Sequence, residues 1–199
     1  MEFPIFPLSG AVLFPKTTLP LNIFEKRYLD MVDYALANKR LIGMIQTKED
    51  NELYGFGCLG KITSFNETED GRYLISLEGL NIFEIKKELK NKHLFRMIEA
   101  NLISNKNDNE QTFEGGLLKK KILEQYKKFI LKNNINFDLK EIQNLELDQL
   151  VKFIVMVSPL SNSEKQMCLE TKSINELSEK LLSILEINIS DLVKNKSIN

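Results

Sequence analysis

The chain has 199 residues, of which 43% are hydrophobic and 28% are charged, a balance typical of a globular protein. Its 27 basic and 28 acidic residues leave a net charge of -1, which argues against a protein that works mainly on nucleic-acid backbones. Two distant cysteines, Cys58 and Cys168, fit a reducing compartment. Prolines interrupt the apolar N-terminal run and Glu2 replaces a basic residue, so we expect a cytoplasmic protein with neither a signal peptide nor a membrane partner.

The first twenty residues hold four of the five prolines of the chain: Pro4, Pro7, Pro15 and Pro20. Because proline fixes φ and donates no backbone hydrogen bond, this segment cannot be a helix. The apolar residues between the prolines predict short, edge-like strands. Helical spacing over residues 25–36 predicts one helix, with Asn38 as its C-terminal cap, and residues 41–45 predict a buried strand.

A hairpin is predicted next, because Asp70-Gly71 lies between the strand-like runs 58–65 and 73–80. Further strands are predicted at 82–85 and 94–103. The polar stretch 104–110 then breaks the pattern, which makes it the best candidate for a boundary.

From residue 112 onward the apolar residues recur at helical spacing. One stripe begins at Leu118 and a second at Leu147, ending near Pro159. Ser161 with Glu164, and Ser173 with Glu176, match the capping box that begins a helix. The sequence therefore predicts an α+β protein, with a β-rich unit over 1–103 and an α-helical bundle over 112–199.

The sequence carries only weak matches to catalytic or cofactor-binding motifs. The stretch Gly55–Gly60 matches the spacing of a dinucleotide fingerprint, but a hairpin follows it instead of the helix that would hold a phosphate. We interpret these glycines as allowing close strand packing. His93 is the only histidine and is expected at the surface. We expect no catalytic residue, no cofactor and no metal.

Several motifs in the same order along the chain resemble one family. These are the opening "P-L-x-x-x-V-x-F-P" pattern, Leu19–Glu25, Leu53–Gly57 and Leu77–Leu80, with a weaker likeness at 164–166 and 169–170. On these motifs the chain resembles the N-terminal substrate-binding domain of Lon proteases. The resemblance implies a PUA-like β-barrel over 1–103 followed by the helical bundle. It also implies a stand-alone, non-enzymatic protein, because neither an ATPase nor a Ser-Lys peptidase domain is recognisable.

The resemblance implies a protein-binding module that recognises unfolded or extended polypeptides, or an adaptor to an ATP-dependent protease. An apolar groove at the barrel–bundle junction, or an exposed strand edge, could capture such segments. The candidate contact residues are Phe14, Ile23, Phe24 and Phe56, although apolar residues of this kind more often pack in a core. The alternatives are a PUA-like ligand or RNA binder, or an uncharacterised enzyme. Near-neutral charge and a single histidine weigh against them.

Overall fold

The computed structural model describes residues 1–103 and 113–195. Within these residues the strands are β1 (Glu2–Pro7), β2 (Thr18–Ile23), β3 (Leu41–Thr47), β4 (Leu53–Glu67), β5 (Tyr73–Leu89) and β6 (Met97–Ile103). The helices are α1 (Lys26–Leu36), α2 (Phe113–Lys132), α3 (Leu147–Val157), α4 (Asn162–Leu169) and α5 (Ile174–Asn195), with a 3-10 turn at Leu139–Glu141. The predicted α+β class is confirmed. The predicted boundary at 104–110 lies outside the described residues.

The strands form one sheet in the order β2-β5-β4-β3-β1-β6, in which β6 also pairs with β5. This second pairing closes β5, β4, β3, β1 and β6 into a ring, so that those strands have neighbours on both sides over part of their length. The pair β1–β3 is parallel and the other pairs are antiparallel. Strand β2 lies outside the ring, and in the part of the chain that the structure describes it pairs only with the first half of β5.

The predicted hairpin is confirmed by the pairing of β4 with β5. Its turn contains Gly71 at φ 78°, a conformation that glycine adopts without strain. The predicted strand at 82–85 is not separate, because β5 runs on through Gly79 and changes its neighbour from β2 to β6. The core of the ring is apolar and fully buried: Phe3, Ile5, Ile45, Leu59, Phe83, Ile98 and Ala100.

The described chain divides into two compact units. We call the first the sheet unit; it holds β1–β6, α1 and Leu160–Leu169, and thus includes α4. The second, the helical unit, holds α2, α3 and α5. The predicted division into 1–103 and 112–199 stays a prediction, and it did not anticipate the packing of α4 on the sheet.

Helix α4 is tied to the sheet by buried polar side chains. The Gln46 amide donates to the Asn162 carbonyl (3.0 Å) and to Gln166 Oε1 (3.1 Å). Gln166 Nε2 in turn donates to the carbonyl of Phe56 (3.1 Å), and Lys165 Nζ donates to that of Gly10 (2.8 Å). These contacts account for Lys165 and Gln166 of the family-like motif at 164–166, because both side chains join α4 to the sheet unit.

The predicted capping box of α4 and the predicted stripes of the helical unit are confirmed. Ser161 and Glu164 form the capping box of α4, with Ser161 N–H donating to the carboxylate at 2.7 Å. In the helical unit apolar residues that recur at helical spacing along α2, α3 and α5 are buried: Ile122, Tyr126, Phe129, Leu150, Val151, Ile154, Val155, Leu177, Leu181 and Leu185. No helix in the described ranges has the length and apolarity that crossing a bilayer requires.

Candidate functional site at the open edge of β2

Within the described residues, β2 has a strand neighbour on one side only. Its ladder with β5 begins at Gly79, whose N–H donates to the Thr17 carbonyl (2.8 Å) and whose carbonyl accepts from Lys16 N–H (2.8 Å). Two residues of one strand thus oppose a single residue of the other, which is a β-bulge. The hydrogen-bonded pairing at Gly79 determines which backbone groups of β2 face β5 and which face outward.

Residues of an antiparallel strand alternate between hydrogen-bonded and non-hydrogen-bonded pairs. Counting on from the bulge, Leu19 and Leu21 exchange hydrogen bonds with β5. Thr18, Pro20 and Asn22 therefore turn their backbone nitrogen and oxygen atoms to the open edge. Because proline has no N–H, the edge presents three carbonyl acceptors but only the two donors at positions 18 and 22.

The side chains of β2 alternate between two environments. Those facing inward continue the apolar rows of β5, where their partners Leu77 and Ile75 are buried. Those facing outward are exposed to solvent. The inward set is Leu19, Leu21 and Ile23, and the outward set is Thr18, Pro20 and Asn22. Leu19 and Leu21 are only half-buried, since no strand lies beyond them within the described residues.

The loop that leads into β2 is held by Gly79. A Cβ atom at this position would overlap the carbonyl oxygen of Phe14, so only glycine permits the close approach. The hydroxyl of Thr17 donates to the same Phe14 carbonyl at 2.8 Å and closes the turn before the strand. The Glu-Gly-Leu motif at 78–80 is thus explained by the anchoring of the β2 entry loop.

The four candidate contact residues do not form one site. Phe14 and Ile23 lie in the core, with 3% and 2% of their surface exposed, whereas Phe24 is 66% exposed and Phe56 is half-buried. Ile23 and Phe56 pair with residues of β5 that are eleven positions apart, a separation of up to roughly 36 Å along an extended strand. The binding role of all four stays a prediction. Of the accessible pair, Phe24 is the one at the open edge.

Several charged groups near the edge form ion pairs or hydrogen bonds. Strand β2 carries no charged residue, and Arg27 beside Phe24 forms an ion pair with Glu25 (2.8 Å). At the hairpin tip, a hydrogen bond from Arg72 holds the pKa of the Asp70 carboxyl well below its usual range. Burial raises the pKa of the Tyr73 hydroxyl, which also contacts Asp33. Strand β2 itself is therefore uncharged and suited to backbone contacts, while Glu78 on β5 places an exposed carboxylate opposite Thr18.

The other motifs have structural explanations. The stretch Gly55–Gly60 lies inside strand β4, and a Cβ on Gly57 would overlap the carbonyl oxygen of Met44. The close-packing interpretation is confirmed for Gly57 and Gly60 and is wrong for Gly55, whose Cβ would meet open space. His93 is exposed, as predicted, and stacks on Phe95 with ring centroids 4.7 Å apart. Across residues 1–103 and 113–195, no group of three or more histidine, cysteine or acidic side chains is arranged to hold a metal.

Sequence reasoning named an exposed strand edge but did not identify the strand. It missed Thr18 and Asn22, because their contribution is a backbone N–H and their side chains carry no special chemistry. One signal was available: a proline inside a strand is tolerated where its nitrogen faces away from the sheet. Pro20 fits an edge strand whose even-numbered residues turn their backbone groups outward. The prediction of edge-like strands holds for β2 but is wrong for β1, which contains Pro4 and Pro7 and pairs with both β3 and β6.

The comparisons with known proteins agree on one family. A sequence model described as the ATP-dependent protease La (LON) substrate-binding domain matches residues 2–186. The Lon protease of Buchnera aphidicola subsp. Baizongia pistaciae is 28% identical over 210 residues, which cover 100% of this chain and 26% of that protein. The Lon protease of Dictyoglomus thermophilum is 27% identical over 216 residues, covering 97% and 26%. The chain thus spans about a quarter of the length of these curated relatives.

Two solved structures share the fold. A Lon N-terminal domain protein from Xanthomonas campestris superposes with a TM-score of 0.70 at 22% identity, covering 92% of this chain and 98% of that one. The N-terminal domain of a Mycobacterium avium complex Lon protease gives a TM-score of 0.67 at 16% identity, covering 94% and 98%. At these identities the likeness concerns the arrangement of the backbone.

Proposed function

Since the chain belongs to the family of ATP-dependent protease La (Lon) substrate-binding domains, we propose that it binds extended segments of unfolded polypeptides along the open edge of β2. The bound segment, or client, adds to the sheet as a further strand and pairs with the outward backbone groups of β2. Because backbone groups are common to all sequences, this mode of binding tolerates many clients. The observation that carries the proposal is the row of outward backbone donors and acceptors at Thr18–Asn22, which pairs with no strand among residues 1–103 and 113–195.

Exposed apolar side chains beside the edge add to the proposed site. Phe24 follows the last residue of β2, and Leu74, which lies opposite Asn22, is also exposed. Covering a large apolar side chain with a client contributes about 1.5–3 kcal/mol at full burial. A folded protein has most of its backbone groups paired and most of its large apolar side chains buried, so the same surface favours unfolded segments over native structures.

We further propose that held clients are passed to an ATP-dependent protease. The matched region is the substrate-binding domain, and the curated Lon relatives are about four times as long as the matched segment. The protease could be carried on the same polypeptide, or the chain could act as an adaptor to a separate one. Affinity purification of the natural protein tests this step, since a preparation from which ATP-dependent protease subunits are absent would contradict it.

Binding is tested with a tryptophan-containing model polypeptide. The protein has no tryptophan, so fluorescence excited at the indole band reports only on the client. We expect the chemically unfolded client to bind in the micromolar range and its native form not to bind. Absence of binding at several hundred micromolar, or equal binding of the two forms, would overturn the proposal.

Two variants locate the site. Asn22→Pro removes an outward donor without breaking a hydrogen bond to β5, and Phe24→Ser removes the exposed ring. Both should weaken client binding while leaving the thermal unfolding midpoint nearly unchanged. Leu94→Ser is the matched control, because Leu94 is 71% exposed but lies in the β5–β6 connection. If the folded Asn22→Pro protein binds as tightly as the parent, the edge of β2 is not the site.

A further inference from the structure

We infer that the β2 edge selects client segments in which apolar and polar residues alternate, over a span of at least five residues. This is a narrower substrate class than unfolded polypeptide in general, and the inference rests on the proposed function. It follows from the different environments of the inner and outer faces of β2. It also follows from the spacing of the N–H donors at Thr18 and Asn22, between which Pro20 offers no N–H.

The inner face of the edge is apolar and incompletely covered. Side chains of adjacent strands that lie opposite each other share a face and contact one another. On this face the rows run from buried residues of β5 to Leu19 and Leu21, which are half-buried. A client side chain beside either leucine would extend an apolar row, and its own apolar surface would leave water.

The outer face of the edge is exposed. Pro20 and Asn22 face solvent, and the row through Pro20 continues to Ser76 on β5. A client side chain on this face stays hydrated. An apolar residue there therefore adds little binding free energy, and a polar residue there pays little desolvation cost. A segment with apolar residues in one block must place about half of them on this face, because successive side chains of a strand point to opposite sides. Alternation therefore matches the edge better than a block of the same composition.

The backbone sets the minimum length. The outward N–H donors at Thr18 and Asn22 are separated by Pro20, which offers only its carbonyl. A client must reach from position 18 to position 22 to use both donors, which requires five residues in extended conformation. A shorter segment uses one donor and leaves the other to water.

Three synthetic peptides test the inference, each carrying one terminal tryptophan. The first has six alternating valine and threonine residues, the second has the same residues in two blocks, and the third is a three-residue alternating segment. All are measured at concentrations where sedimentation shows the free peptides to be monomeric. We expect the alternating six-residue peptide to bind up to about fivefold more tightly than the blocked one, because it places three valines on the inner face and the blocked peptide places two at best, a gain of one cross-strand pair. The three-residue peptide should bind more weakly than both.

Backbone N-methylation provides a second measurement. In an added strand, alternate N–H groups face β2 and the others face solvent. Methylating one alternate set of the six-residue peptide should abolish binding, while methylating the other set should leave it within about twofold. Equal effects of the two sets would overturn strand addition. If the blocked peptide binds as well as the alternating one while the unfolded polypeptide still binds, the preference for alternation is overturned and the proposed function stands. Failure of every unfolded ligand to bind would overturn the proposed function as well.

Discussion

Replacing Pro20 with valine should strengthen client binding, because it restores the donor missing from the centre of the edge. Pro20 lies opposite Ser76 in a pair whose backbone groups face away from β5, so the new N–H leaves the β2–β5 ladder unchanged. One added hydrogen bond contributes about 0.5–1.5 kcal/mol net, which lowers the dissociation constant roughly 2- to 13-fold. The greater freedom of the unfolded chain costs about 0.4–1 kcal/mol of stability, too little to unfold a typical domain.

The assay is a titration of the tryptophan-containing unfolded client and of the alternating peptide against both proteins. Thr18→Val is the matched control, because it places a valine on the same outward face of β2 without adding a donor. Its dissociation constant should stay within about twofold of the parent value. An unchanged affinity for a folded Pro20→Val protein would refute the reasoning, and so would an equal gain in the Thr18→Val control.

Two further predictions concern the framework of the sheet unit. Gly79→Ala should lower the free energy of unfolding by about 1–3 kcal/mol, because the new Cβ overlaps the Phe14 carbonyl oxygen. Gly55→Ala has open space around its Cβ and should change the free energy of unfolding by less than about 0.5 kcal/mol. Urea titration measures both variants, and an equal loss of stability in the two would contradict the packing argument. Burial lowers the pKa of Lys165 from its usual 10.5, so the folded state releases this proton before the unfolded state does. The free energy of unfolding should therefore rise with pH from the lowered pKa up to 10.5, by at most about 1.4 kcal/mol per pH unit. Lys165→Met should flatten that rise, and an unchanged slope would contradict this assignment.

Elements that depend on neighbouring residues were predictable from the sequence. The turn at Asp70-Gly71 follows from the conformational freedom of glycine, and the capping box at Ser161 and Glu164 follows from groups three residues apart. The packing of α4 on the sheet was not predictable in this way. It depends on the hydrogen bond between Gln46 and Gln166, which are 120 residues apart, and the local helical pattern of α4 contains no sign of it.

The candidate site shows the same limit. Phe14 and Phe24 are the same residue type and each directly follows an aliphatic residue in the sequence, yet one is buried and the other is largely exposed. Their difference arises from the pairing of β2 with β5, since the entry loop of β2 folds over Gly79 while the end of the strand projects beyond the ladder. Apolarity identifies residues that leave water, but strand order determines whether they meet the core or a client.

Hydrogen–deuterium exchange tests strand addition at β2 most directly, because it measures the exchange rate of each backbone amide in the free protein and in the protein saturated with unfolded client. The amide protons of Thr18 and Asn22 face the open edge and should exchange rapidly in the free protein. Client binding should slow both of them strongly, while the exposed turn at residues 68–72 keeps its free-state rate. Saturating binding that leaves the amides of Thr18 and Asn22 unprotected would contradict strand addition at β2.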